Sequence, residues 1–123
     1  MKPVYIINGF LESGKTEFIT YTLSQPYFQI RGKTLLIVCE EGEVEYEEVL
    51  LRKSRTVMEV IDEEENFTPE NLIELEKKYK PERIVIEYNG MWNCKNMKLP
   101  WHWSVEQQIT TINGATFQNY YTN

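Results

Sequence analysis

Apolar residues fall along this 123-residue chain in short runs separated by polar stretches, never in one long block. Val4–Ile7 (VYII) is β-rich and leads directly into a glycine-containing loop. Thr34–Cys39 (TLLIVC) is continuously apolar over a strand's length, the pattern of a strand covered on both faces. Thr56–Ile61 (TVMEVI) and Arg83–Tyr88 (RIVIEY) repeat it, and Gln107–Asn113 (QITTIN) carries a weaker version. Between these runs the spacing changes. The stretch TEFITYTLS after Lys15 lacks Gly and Pro and sets Phe18, Ile19 and Leu23 at helical intervals. Its β-branched residues make that helix dependent on burial. Thr68-Pro69 supplies an N-cap followed by proline at the first helical position, and Leu72, Leu75 and Tyr79 then share one face before Pro81. Pro26 and Gly32 bracket a connection, Met91–Ser104 is expected to be a long loop rich in Trp and Lys, and ATFQNYYTN is expected to begin a helix.

Strands alternating with helices imply βαβ units, so the expected fold is α/β: a mostly parallel sheet flanked by helices, in one domain over residues 1–123.

The loop after the first strand reads GFLESGKT, and Gly9, Gly14, Lys15 and Thr16 match G-x-x-x-x-G-K-[ST] in full. A chain of this length meets that pattern by chance roughly once in a few hundred cases. The strand before it and the helix after it are the context the chemistry requires. Glycines let the backbone wrap a phosphate, so that successive N–H groups and the helix N-terminus point at the anion. Ser13 and Gly14 belong to that cradle. Lys15 would reach the β- and γ-phosphates, and the Thr16 hydroxyl would ligate Mg²⁺. Glu12 would contribute its amide while its side chain points outward, because a carboxylate beside a triphosphate weakens affinity.

A phosphate loop of this kind needs a carboxylate at the end of a neighbouring strand to hold Mg²⁺. The chain's single aspartate, Asp62, lies in the acidic run VIDEEENF. Glu87, near the end of RIVIEY, is the candidate for that role, the alternative being a strand-end glutamate on a solvated edge, and Gly90 follows at the spacing where a glycine amide can meet the γ-phosphate. Glu40–Glu48 carries six glutamates. Glu40 or Glu43 could approach Mg²⁺ or a cargo cation, since hard cations favour carboxylate oxygens; the bland alternative is a solvated acidic loop and helix, with Glu45, Glu47 and Glu48 at the surface either way.

Charge and cysteines narrow the partners. A net charge of −6 argues against general binding to nucleic acid or anionic membranes. Two isolated cysteines, Cys39 and Cys94, without a secretory signal suggest a reducing, cytoplasmic setting, and no apolar run is long enough to span a bilayer. Cys39 reads as a small buried side chain. His102, between Trp101 and Trp103, reads as part of an aromatic loop packed on the domain or a partner, because one His and one Cys fall short of a metal's ligand set.

With these motifs placed, the chain resembles the CobW-type family of P-loop GTPases. YIINGFLESGKT is similar to that family's strand and G-F-L-G-x-G-K-T loop. LLIVCEEGEVEYEE resembles its N-E-F-G-E-V switch segment, which sets Glu40, Gly42, Glu43 and Val44 on matching positions. IVIEYNG is similar to its I-V-I-E-T-S-G, and ITTINGATF to its V-V-T-V-V-D-A-x-x-F. The resemblance implies a P-loop NTPase-like three-layer fold, GTP binding with Mg²⁺, slow hydrolysis, and nucleotide-gated delivery of a metal or cofactor to a client protein. It also implies that these residues form the N-terminal portion of a GTPase domain, incomplete at its C-terminus.

The departures are specific. Glu12 stands where the family loop has glycine, Glu17 where it has threonine, and Asn113 where it has aspartate. The family's C-x-C-C metal motif has no counterpart between the switch and the Glu87 strand, and the guanine-reading N-K-x-D does not occur in these residues. GTP over ATP is therefore inherited from the resemblance. Two other readings remain: an interaction domain that keeps the fold but binds nucleotide weakly, and a small-molecule kinase. Arg31, Arg52, Arg55 and Arg83 do not cluster as a kinase's arginine lid would require.

Overall fold

The computed structural model describes residues 2–8, 15–30, 32–39, 46–112 and 116–120; the side chains of Lys15, Cys94, 111–112 and 116–120 are not described. The strands are β1 (Lys2–Asn8), β2 (Thr34–Val38), β3 (Thr56–Val60), β4 (Arg83–Glu87), β5 (Trp103–Ile112) and β6 (Thr116–Tyr120). The helices are α1 (Lys15–Leu23), α2 (Pro26–Ile30), α3 (Glu48–Lys53) and α4 (Pro69–Tyr79). One sheet runs in the order β3-β2-β4-β1-β5-β6. Its first five strands are parallel, and β6 pairs antiparallel with β5.

The continuous apolar runs are the central strands. Every residue of β2 and of β4 is buried, which a strand achieves only when both faces of its sheet are covered. Alternation then sorts their side chains between two cores. Val4, Ile6, Leu35, Ile37, Ile84 and Ile86 join Leu72 of α4 on one face. Ile7, Leu36, Val38 and Val85 join Ile19 and Leu23 of α1 and Phe28 of α2 on the other. The result is the three-layer α/β sandwich of P-loop NTPases, a helix layer on each side of a mostly parallel sheet.

The caps of α4 follow the sequence. Thr68 Oγ1 accepts from the Asn71 amide at 3.2 Å, an N-cap bond worth about 1 kcal/mol. At its other end Lys80 turns left-handed (φ 51°) and donates to the Glu76 carbonyl before Pro81 ends the helix. Gly32, also left-handed at φ 77°, leads into β2; a Cβ there would be strained and would meet Glu82 Cγ at 2.2 Å, forcing that side chain to shift.

Three elements differ from expectation. The connection between Pro26 and Gly32 contains the five-residue α2, with proline at its first position, where the missing N–H costs nothing. β5 begins at Trp103, four residues before the expected Gln107. ATFQNYYTN forms no helix in its described part: Thr116–Tyr120 is β6, hydrogen-bonded across β5. The long loop from Met91 is interrupted by a 3-10 turn at Cys94–Asn96 and ends where β5 starts.

Candidate nucleotide site

β1 ends at Asn8 and α1 begins at Lys15, so the GKT sequence sits at a strand-to-helix junction. Beside β1 lies β4, paired in parallel with Ile7 opposite Glu87. The Tyr88 amide continues that ladder onto the Ile7 carbonyl at 2.8 Å. The end of β1 and the end of β4 are thus neighbours at the carboxyl edge of the sheet, the edge where open α/β sheets bind ligands.

At this edge Thr16 Oγ1 donates to Glu87 Oε1 at 3.1 Å. The Tyr46 hydroxyl donates to the same oxygen, also at 3.1 Å. Glu87 is fully buried, and alternation along β4 turns its carboxylate toward the face covered by α1 and α3. Burial in the company of that carboxylate drives the Tyr46 phenol well above its ordinary value, desolvation first and the Glu87 charge second. Tyr46 therefore stays a neutral donor across the physiological range.

Asn89 braces the backbone beyond the carboxylate. Its Nδ2 donates to the Cys39 carbonyl at 3.1 Å, at the end of β2, and its Oδ1 accepts from the Met91 amide at 2.8 Å. Gly90 lies inside the turn so formed. The Cys39 amide donates to the Glu87 carbonyl at 2.9 Å, which extends the β2–β4 pairing by one residue. Cys39 is completely buried, as expected.

Of the residues singled out in the sequence, the structure brings Thr16 and Glu87 into direct contact and places Gly90 three residues along from Glu87. Lys15 begins α1, but its side chain is not described. Gly9, Glu12, Ser13, Gly14, Glu40, Glu43 and Asn113 lie outside the described residues. Glu47 and Glu48 are exposed. Tyr46 and Asn89 were missed; an aromatic residue set among six glutamates was the available signal for Tyr46. His102 is occupied elsewhere, its Nε2 lying 2.7 Å from Glu76 Oε1. Among the described residues no group of three or more His, Cys, Asp or Glu side chains could hold a metal.

Mg²⁺ takes oxygen ligands, one or two of them from protein and the rest from water and phosphate. A hydroxyl and a fully buried carboxylate 3.1 Å apart, at the end of a phosphate-loop strand, fit that requirement.

Fold and site together define a P-loop nucleotide-binding domain. The chain belongs to the CobW/HypB/UreG family: the model for its nucleotide-binding domain matches residues 3–118. Comparison with curated proteins and with solved structures returned no match. No helix among the described residues is long and apolar enough to cross a membrane.

Proposed function

We propose that this chain binds GTP with Mg²⁺ at the loop Gly9–Thr16, hydrolyses it slowly, and uses the cycle to deliver a metal or cofactor to a client protein. The carrying observation is the contact between the Thr16 hydroxyl and the buried Glu87 carboxylate. Family membership supports a GTPase-type nucleotide-binding reading, and the preference for GTP over ATP and the delivery role are proposed from it.

Backbone N–H groups from Gly9, Glu12, Ser13 and Gly14 cradle the phosphates, and the α1 N-terminus adds its partial positive charge. Lys15 neutralises charge on the β- and γ-phosphates. Thr16 and Glu87 would hold Mg²⁺, which when bound offsets phosphate charge and orients the phosphate oxygens. The Gly90 amide meets the γ-phosphate. Tyr46, which lies within the Glu40–Glu48 segment, donates to Glu87 and fixes the rotation of its carboxylate. No side chain in this set is a base placed to orient water, so turnover in the isolated chain is slow.

The test is titration with fluorescent GTP and ATP analogues, with and without Mg²⁺, beside Lys15→Ala. Mg²⁺-dependent binding is expected, weakened more than about tenfold in the variant through loss of charge-assisted hydrogen bonds. An absence of binding at millimolar nucleotide would sink this reading and leave an interaction domain that retains the fold.

A further inference from the structure

On the sheet face opposite α1 lies a cavity of about 750 Å³. Its lining includes four consecutive acidic residues, Asp62 to Glu65, and three aromatic ones, Phe67, Tyr88 and Trp92. The three rings brace one another edge to face: Tyr88 and Trp92 at 5.4 Å between centroids, Phe67 and Tyr88 at 5.4 Å, Phe67 and Trp92 at 6.3 Å. Phe67 and Tyr88 are buried, while Trp92 keeps part of its surface open.

The acidic run is fixed in place. The Ile61 amide bonds the Val38 carbonyl at 2.8 Å, and the 3-10 turn that follows closes through Asn66 to Glu63 and Phe67 to Glu64. Asn71 Nδ2 ties the Asn66 carbonyl to α4 at 2.8 Å. Asp62, Glu64 and Glu65 thus set three exposed carboxylates along the rim, where Lys98 is the one lysine among the described lining residues. Such a rim repels itself and attracts cations. Among the described residues no three His, Cys, Asp or Glu side chains converge on one point, so the rim offers no multidentate metal cage.

An open indole beside carboxylates suits an organic cation, whose apolar stem lies on the ring while its head reaches the acids. A volume of about 750 Å³ exceeds one side chain and suits a short segment. We propose that this cavity docks a basic, arginine- or lysine-bearing segment of a partner protein. The proposal stands apart from the nucleotide reading, because docking is measured without nucleotide.

The experiment titrates the full chain with a triarginine amide peptide, following the Trp92 indole N–H by NMR. Saturable movement of that resonance is expected, and none with triglutamine amide. Asp62→Asn/Glu64→Gln/Glu65→Gln should weaken binding at least about tenfold, and Glu47→Gln/Glu48→Gln/Glu106→Gln, which removes equal charge from exposed sites elsewhere, less than about twofold. Three results would overturn the proposal: equal weakening by both triple variants, an unmoved Trp92 resonance, or spermidine binding as tightly as the peptide. The first marks general attraction to an acidic protein, the last a polyamine pocket.

Discussion

Two glutamates, Glu87 and Glu76, are each held by hydrogen bonds at opposite ends of the sheet, and the kinds of donor differ. Glu87 closes β4 and receives the hydroxyls of Thr16 and Tyr46. Glu76 belongs to α4; its Oε1 accepts from Trp103 Nε1 at 2.8 Å and meets His102 Nε2 at 2.7 Å. Its Oε2 lies 3.9 Å from Lys2 Nζ. Lys2 opens β1, Trp103 opens β5, and Lys2 also donates to the Pro81 carbonyl. Glu76 is therefore a strut that joins a helix to the amino ends of two strands. A ring N–H locked in a core cannot turn away, and its loss strands a buried donor. Hydroxyls can rotate. A carboxylate held by hydroxyls at the carboxyl edge of a parallel sheet can exchange those partners for a cation without dismantling the fold.

Glu87→Gln breaks the comparison hardest. The amide keeps the shape and can still accept from Thr16 and Tyr46, but it is a poor Mg²⁺ ligand. Nucleotide affinity in Mg²⁺ is expected to fall by about tenfold to a hundredfold, with little change in its absence. Thermal stability should hold or rise, since a buried charge is removed. A fluorescent-nucleotide titration and a melting curve read both. An unchanged Mg²⁺ effect would mean that Glu87 is a second strut.

Glu76→Ala should do the converse. It leaves the Trp103 indole N–H unpartnered in the core and is expected to cost about 1–3 kcal/mol of stability. Nucleotide affinity should stay within about twofold when measured well below the melting temperature. Denaturant unfolding paired with the same titration separates the two quantities. Tyr46→Phe comes next in size: one hydrogen bond to Glu87 is lost, worth about 0.5–1.5 kcal/mol. If Tyr46 positions the carboxylate, that loss appears in Mg²⁺-dependent affinity rather than in stability alone.

The asymmetry between the two glutamates was visible in the sequence on one side only. Glu87 stands at the end of an apolar run and three residues before a glycine, so pattern and spacing both mark it. Glu76 sits in LEKKY, where a glutamate among lysines looks like a solvated helix face; its partners, Lys2 and Trp103, are 74 and 27 residues away. β2 and β4 were legible because burial on both faces writes a continuous apolar run. β5 was legible only from its second half. Its register shifts opposite Val4 and Tyr5, whose partners are Val105 and Gln107, so Glu106 is an extra residue that breaks the alternation. α2 was hidden by reading Pro26 as a breaker, although proline suits a first helical position and the buried Phe28 anchors the turn. β6 takes its hydrogen bonds from β5, a pairing that a local window over TFQNY does not contain. Tyr46 was overlooked because the charges around it dominated the segment.

The smallest expected effect concerns pH and belongs to the strut. Burial raises the Glu76 carboxyl, but the hydrogen bonds from Trp103 and His102 and the charges of His102 and Lys2 outweigh it, holding the group below its ordinary value of 4.5. A carboxyl whose folded pKa lies below its unfolded one binds fewer protons in the native state. Its contribution is therefore complete above 4.5 and is lost as pH falls through the lower folded value. Unfolding free energy should decline across that acid window in the natural chain and less steeply in Glu76→Gln, which keeps an acceptor for Trp103 but has no charge to titrate. Equal slopes would show that the fold does not favour the ionised Glu76 carboxyl, neither through the hydrogen bonds from Trp103 and His102 nor through the charges of His102 and Lys2. The two glutamates would then differ in geometry and not in electrostatics.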